Sequence, residues 1–583
     1  MEVIKNMKTV KNNSIILIVF LISAITFAQK KEKDTLGTEV INVVKPYTPT
    51  VSDAFKIKSS PEINDASLNK KNPIEYTIFS VPVVSTFTPD KGKAKVLRIK
   101  RSEPVYENYI SAGFGTFRSP QIDIFYHNNT TRDNDFGGFI NFHSSRGGLK
   151  NVSLNNDFYD GKFDGFYKQD NQYYSWKING GARLQKYNWY GLPENINFRG
   201  DANSSIQEAH KYTNIYAGGE LDYFDSVFQG GDAILNLFTD NKGSQELHLL
   251  VQPKLDLPIA SEYITANARL EFLQTSFAQN YAFTGKLNHT FFTAGINPNL
   301  EVLRDNLTLN LGADFLFSAT SVSGEDSRVY IYPKVTASYI LIDQILTVYT
   351  GAIGGLHQNS YKEFVDKNPF VSPTLNIKRT DEQYNAFIGF KGKLASNIGY
   401  NFKGFYKSEK NKPMYKLNPT KTDGVLLVER GYEAGNSFQI VYDNVKTIGG
   451  IAEIDINLSK EFKFGGNLAY NIYTLTNEAK AWNLPTLKAG GFAKYNNDKW
   501  FAGADLFFSG DRKDEFTSTI NAAKSLLKLG NYIDLNLNGG YKFGGKLTAF
   551  AKVNNVFNSN YQKYANFKVQ GLQLVGGITF KFD

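Results

Sequence analysis

The chain has 583 residues, rich in Phe (45), Tyr (34) and Gly (49), with 18 Pro and no Cys. The lack of cysteine excludes disulfides, thiolate metal sites and thiol nucleophiles. The net charge of +9 includes lysines at the extreme N-terminus and comes with no nucleic-acid-binding motif, so nucleic acid is not an expected partner.

Residues 1–28 read as a signal peptide. Lys5, Lys8 and Lys11 form a positive n-region, Ile15 to Phe27 an apolar run, and Thr26 and Ala28 a small-residue cleavage site, so the mature chain is expected to start at Gln29. The alternative is a transmembrane anchor, for which the run is short against about 30 Å of hydrocarbon. No later stretch is long and apolar enough for a spanning helix.

Residues 29–105 carry Pro46, Pro49, Pro61, Pro73, Pro82 and Pro89 and read as an extended, turn-rich periplasmic segment. The basic run Lys91, Lys93, Lys95, Arg98, Lys100 and Arg101 closes it. A solvated linker is its plain reading, and contact with acidic lipid head groups or a protein partner the alternative.

From Tyr106 to Phe582 the chain alternates apolar and polar residues with period two. Leu307, Leu309, Leu311, Ala313, Phe315 and Phe317 enclose Thr308, Asn310, Gly312 and Asp314. Asn359 to Glu382 is the least regular stretch and is expected to be a long surface loop. Ile454, Ile456 and Leu458 resume the alternation, and so do Ile533 to Phe543 and Leu547 to Val553. Leu572, Leu574, Ile578, Phe580 and Phe582 end it. Within the loop before Ile533, the spacing of Ile520, Ala523, Leu526 and Leu527 predicts a short helix.

The connections alternate too. Ser459-Lys460-Glu461, Asn496 to Lys499 and Gly544-Gly545 are short, whereas Thr474 to Pro485, Ser509 to Asn531 and Phe557 to Phe567 are long. Short turns on one side and long loops on the other describe an outer-membrane barrel. The fold class is therefore all-β: a transmembrane antiparallel barrel over 106–583 of about 22 strands, with both termini periplasmic. Trp500, Tyr541, Phe543 and Phe582 stand near strand ends, where barrels carry aromatic girdles.

No chemistry-bearing motif interrupts this texture. The histidines (127, 143, 210, 248, 289 and 357) lack metal-ligand spacing, no GxSxG occurs, and Gly113-Phe114-Gly115 lacks the third glycine of a dinucleotide site. The expectation is a non-enzyme without cofactor, metal or catalytic residues. Gly465-Gly466 and Gly539-Gly540 read as strand glycines that relieve crowding.

The stretches Gly530 to Asn536, Phe550 to Tyr561 (with its Asn554-Asn555-Val556-Phe557-Asn558) and Gly576 to Phe582 resemble the C-terminal strands of TonB-dependent receptors, in the style of their Bacteroidetes members. The resemblance is close over the last 60 residues or so and loose over the barrel. It implies a 22-stranded Gram-negative outer-membrane barrel with an N-terminal plug and TonB box, importing siderophores, vitamin-like cofactors, glycans or peptides. Glu39, Val40, Ile41, Asn42, Val43 and Val44 are similar to a TonB box, with a packing or augmenting strand as the alternative. The 75 or so residues ahead of Tyr106 fall short of a plug domain, usually 100 residues or more, and so form at most a partial one. The terminal strand, Leu572, Leu574, Ile578, Phe580 and Phe582, is the expected signal to the barrel-assembly machinery.

Two functions follow. The first is uptake of a solute across the outer membrane, with TonB as partner. The second is an accessory or scaffold subunit of a larger outer-membrane assembly or secretion complex, with a lipoprotein or membrane-complex partner. Outer-membrane lipid is a partner in both.

Overall fold

Period-two alternation becomes paired strands throughout. The computed structural model describes residues 106–583 apart from 132, 199–205, 225, 260–261, 283–284, 323 and 426–429. The expected signal peptide, the 29–105 segment and Glu39 to Val44 lie outside the described residues.

The first half contains β1 (Asn108–Gly115), β2 (Ser119–Thr131), β3 (Asn134–Ser145), β4 (Phe158–Asp170), β5 (Tyr174–Asn188), β6 (Ala209–Tyr223) and β7 (Phe228–Asp240). It continues through β8 (Gln245–Ile259), β9 (Glu262–Phe277), β10 (Leu287–Arg304), β11 (Leu307–Thr320), β12 (Arg328–Ile342) and β13 (Leu346–Gln358) to a short helix α1 (Tyr361–Lys367). The second half contains β14 (Arg379–Ala395), β15 (Ile398–Leu417), β16 (Phe438–Asn457), β17 (Phe462–Leu475), β18 (Leu487–Asn496), β19 (Trp500–Ser509), β20 (Arg512–Thr517) and β21 (Lys524–Leu529). It ends with β22 (Tyr532–Phe543), β23 (Leu547–Asn554), β24 (Gln562–Tyr564), β25 (Phe567–Lys568) and β26 (Gln573–Phe582).

Twenty-two of these strands form one antiparallel sheet. β19 passes to β22, β23 passes to β26, and β26 returns to β1 from Asn108↔Phe582 through Gly115↔Val575, which closes the barrel. The hairpins β20–β21 and β24–β25 are insertions outside the wall.

Closure removes every sheet edge, the condition for strands to lie in hydrocarbon. The outward residues match that solvent. Ile578 is 56% exposed, and Leu574, Phe580, Ile448, Leu468 and Ile472 also stand outward and uncovered. On β26 the intervening Gln573, Val575, Gly577, Thr579 and Lys581 face inward. In water such rows of uncovered apolar side chains would drive association; against lipid they are matched.

The turns of two to four residues that join β2–β3, β4–β5, β6–β7 and the further even–odd wall pairs through β22–β23 lie at one end, which also holds Asn108 and Phe582; β1–β2 and β7–β8 are joined by short turns at the other end. Gly544 (φ 68°) and Asp305 (φ 48°) adopt the left-handed conformation that such turns require. Trp500, Tyr541 and Phe543 cluster at this end with ring centroids 4.5 and 4.7 Å apart. The long connections, 146–157, 189–208, 359–378, 418–437, 510–531 and 555–572 among them, lie at the other end.

Two expectations are corrected. The stretch Asn359 to Glu382 is not a surface loop: it contains α1, with Tyr361, Phe364, Val371, Leu375 and Ile377 buried, and ends in β14. The apolar residues at 520–527 do not form a helix. Lys513↔Lys528, Asp514↔Leu527 and Glu515↔Leu526 pair across the β20–β21 hairpin, which turns through Ala522 at φ 54°. Ladder bonds to β20 supply what an isolated helical turn could not.

Candidate functional site

The lumen wall is built from the inward half of each strand. Asn, Thr and Ser side chains alternate there with charged and aromatic ones. Lysines lie over ring faces at Lys177 on Phe166 (5.6 Å), Lys403 on Phe387 (5.5 Å) and Lys494 on Phe492 (5.1 Å). These are cation–π distances.

The long-loop end carries a packed cap. One buried apolar cluster joins inward residues of β6, β7, β9 and β10 (Tyr212, Phe238, Leu273, Phe277, Phe291) to Tyr361, Phe364, Val371 and Ile377 of the 359–378 segment. The same cluster takes in Leu417, Phe438 and Ile440 from β15 and β16, and Ala565 and Phe567 from the 555–572 connection. Strands far apart around the wall are therefore bridged by packed side chains across the mouth. Phe370 stacks on Phe567 with centroids 3.8 Å apart.

The 359–378 segment is the centre of this cap. Ser360 is the N-cap of α1, its Oγ accepting from Glu363 N. The first turn docks on two buried carboxylates next to the β7–β8 turn. Tyr361 N and Lys362 N donate to Glu246 (2.6 and 3.0 Å), and the Tyr361 hydroxyl donates to Asp240 (2.8 Å). Thr275 also donates to Glu246 (2.7 Å), and His210 lies 3.2 Å from Asp240. Carbonyls that a seven-residue helix and its loop leave unpaired are satisfied by tyrosines: Tyr212 donates to Pro369 O (2.8 Å), Tyr442 to Asn376 O (2.9 Å) and Tyr564 to Lys367 O (2.8 Å), while Tyr415 adds a second bond (3.1 Å) to Phe364 O, which already accepts from Asn368 N. Burial pushes the Tyr361 and Tyr564 hydroxyls up, so both stay protonated donors at neutral pH.

Charges complete the attachment. Asp366 of α1 pairs with Arg183 on β5 at 3.0 Å. Burial alone would raise the Glu363 carboxyl, but His357 (2.9 Å) and Lys367 (2.6 Å) bring it down to about 2.

The β20–β21 hairpin is attached through Asp514, which accepts from Leu417 N (2.9 Å), Asn483 Nδ2 (2.7 Å) and Glu515 N (2.8 Å). Burial nevertheless pushes its carboxyl up to about 6. A group that binds protons more tightly folded than unfolded stabilises most below its unfolded pKa, about 4, and that contribution is lost as pH rises through about 6. Hydrogen exchange in β20 and β21, corrected for intrinsic rate, should therefore slow from about pH 7 to about pH 5. Asp514→Asn should flatten this response, and an unchanged slope would refute the assignment.

The expected site residues fall in two places. Glu39 to Val44 lie outside the described residues. Leu574, Ile578 and Phe580 stand on the outer face of β26, Leu572 just before it and Phe582 at its end, where Phe580 and Phe582 stack at 6.1 Å. Asp240, Glu246 and α1 were not anticipated. The Ser360-x-x-Glu363 spacing ahead of Phe364-Val365 was the available signal for the helix. Among the described residues no group of three His, Asp or Glu side chains could hold a metal ion.

No protein-family model matches the sequence, and no curated protein matches it. The fold is similar to that of solved structures, among them FpvA and PfeA of Pseudomonas aeruginosa. For the pyoverdine outer-membrane receptor FpvA the TM-score is 0.60 at 13% identity, over 83% of this chain and 80% of that one. For the ferric enterobactin receptor PfeA it is 0.57 at 12% identity, over 82% of each chain. For FpvAI in complex with pyocin S2 it is 0.59 at 13% identity, over 83% of this chain and 71% of that one. These neighbours are TonB-dependent outer-membrane receptors, and at such identity the likeness is one of fold.

Proposed function

We propose that the chain is an outer-membrane, receptor-like barrel that takes up a solute across the outer membrane. One observation carries this reading: a closed 22-stranded wall with an apolar exterior surrounds a polar, charged interior. A scaffold in the membrane needs the exterior but has no use for a wide polar lumen. The neighbours bind pyoverdine and ferric enterobactin, which supports an uptake role of the same kind. The short-turn end, with the barrel's termini, faces the periplasm. Residues 29–105 act as a partial plug, and Glu39 to Val44 contact TonB. The cap is then a closure that must move for cargo to pass. Leu574, Ile578, Phe580 and Phe582 present the strand read by the assembly machinery.

A second reading is favoured by the cap itself. An apolar seal across the mouth suits a barrel that conducts nothing and serves as an accessory subunit. The two separate in cells lacking the chain, complemented with the full sequence or with one deleted for Glu39 to Val44. Uptake predicts that at least one solute in spent medium is depleted only by the fully complemented strain. Identical media in all strains, together with a stoichiometric membrane partner on purification, would establish the accessory role instead.

A further inference from the structure

Opposite in character to the packed cap, the wall formed by β19, β22, β23, β26 and β1 holds an open recess of about 500 Å³ facing the lumen. That volume lies within the range of small-molecule sites. Three rings line it. Phe507 alternates with the outward Leu506 and so faces inward, and among the described residues it is 51% exposed. Phe550 lies against two glycines: a Cβ on Gly577 would approach its ring to 2.4 Å and one on Gly113 to 3.2 Å. Phe501 lies in the same way over Gly540, with 2.4 Å to a Cβ there. The glycines let these two rings lie close against the wall, and Lys552 Nζ stands over the Phe550 ring, 5.3 Å from its centroid.

Between the rings stand groups that both donate and accept, notably Asn538 and Thr548, with one carboxylate, Asp505, and one ammonium, Lys552. The two charges cancel. A ferric chelate bearing net negative charge would need a cationic lining, which this recess lacks. Flat aromatic faces beside amides and hydroxyls instead fit a ring with C–H on its faces and hydroxyls on its rim. We infer that the recess binds a neutral, hydroxyl-rich ring ligand, a saccharide, with the exposed Phe507 as stacking platform and Asn538, Thr548 and Asp505 as hydrogen-bonding partners. This rests on the uptake reading only for the role of the site, as a station on the cargo route.

The same chemistry occurs in a free oligosaccharide and in the sugars of a membrane glycolipid. The full chain, and a variant with 361–377 replaced by a short Gly-Ser linker to open the cap, are purified in a detergent without a sugar head group. Both are titrated by calorimetry with maltohexaose, cellohexaose and mannohexaose, with deacylated lipopolysaccharide, and with ferric citrate as the charged comparator. Binding of a hexaose in at least one form, weakened about tenfold or more by Phe507→Ala and by Asn538→Ala and unchanged by Phe387→Ala elsewhere on the wall, is the expected result. Binding of the deacylated glycolipid alone, with the same response to the variants, keeps the saccharide site and assigns it to membrane glycan. No saccharide binding in either form, binding indifferent to both substitutions, or preferential binding of ferric citrate overturns the inference. Saccharide binding without chain-dependent uptake would retain the site and remove the transport role.

Discussion

Ile578→Arg should prevent efficient folding into a bilayer, whereas Thr579→Arg, one residue further on, should leave folding nearly intact. Ile578 points outward from the middle of β26, the strand that closes the barrel on β1. An arginine on the lipid face near the bilayer centre costs about 2–4 kcal/mol. Thr579 points into the lumen, where it shares a hydrogen bond of 2.8 Å with Ser111. Its loss costs about 1 kcal/mol, and the new guanidinium remains in a polar interior. Folding into lipid vesicles along a denaturant series, read by heat-modifiable electrophoretic migration, separates the two. Equal folding of both variants would mean that the outward rows do not face lipid.

Replacing 361–377 with a short Gly-Ser linker should open the pore. The excision is feasible because Gln358 and Arg379 are paired across β13 and β14, so the linker only has to span neighbouring strand ends. It removes the side chains that bridge β6 to β10 with β16 and the 555–572 connection. A barrel of this strand number has a wide lumen. Conductance in planar bilayers should rise by about tenfold or more. Cells carrying the variant should become sensitive to antibiotics too large for ordinary pores. Tyr361→Ala is the milder test. Loss of a fully buried aromatic ring costs about 3–5 kcal/mol and also removes the hydroxyl bonded to Asp240. Hydrogen exchange across α1 should accelerate while the strands stay protected. A conductance unchanged by the excision would show that other elements close the lumen.

The wall was legible because its signal is local. In β11, Leu307 to Phe315 alternate strictly, and in β22 and β26 the same period survives to the last residue, so register and facing follow from a window of ten or so residues. The order of short and long connections was equally readable, since Gly544 and Asn497 are turn residues by their own chemistry. The cap was not. Tyr361, Phe364 and Val365 have ordinary helical spacing, but what buries them comes from strands separated by up to some two hundred residues, among them Tyr212 and Phe567. The hairpin at 512–529 failed for a different reason: Ile520, Ala523, Leu526 and Leu527 satisfy a helical period, and only the partner strand β20 decides against it. The recess combines both difficulties. Thr579 and Ser111 become neighbours solely through closure of β26 on β1, which no local pattern announces.

Uptake through this barrel, as proposed, requires the loop cap to move. Because the chain has no cysteine, one pair can be introduced without background: Ser372→Cys in the cap and Asn418→Cys beyond β15, whose side chains lie 3.0 Å apart. With a short thiol crosslinker in place, chain-dependent solute depletion should stop, and the uncrosslinked double variant should deplete like the parent. Depletion that continues with the cap locked would mean that cargo does not pass the mouth that the cap covers.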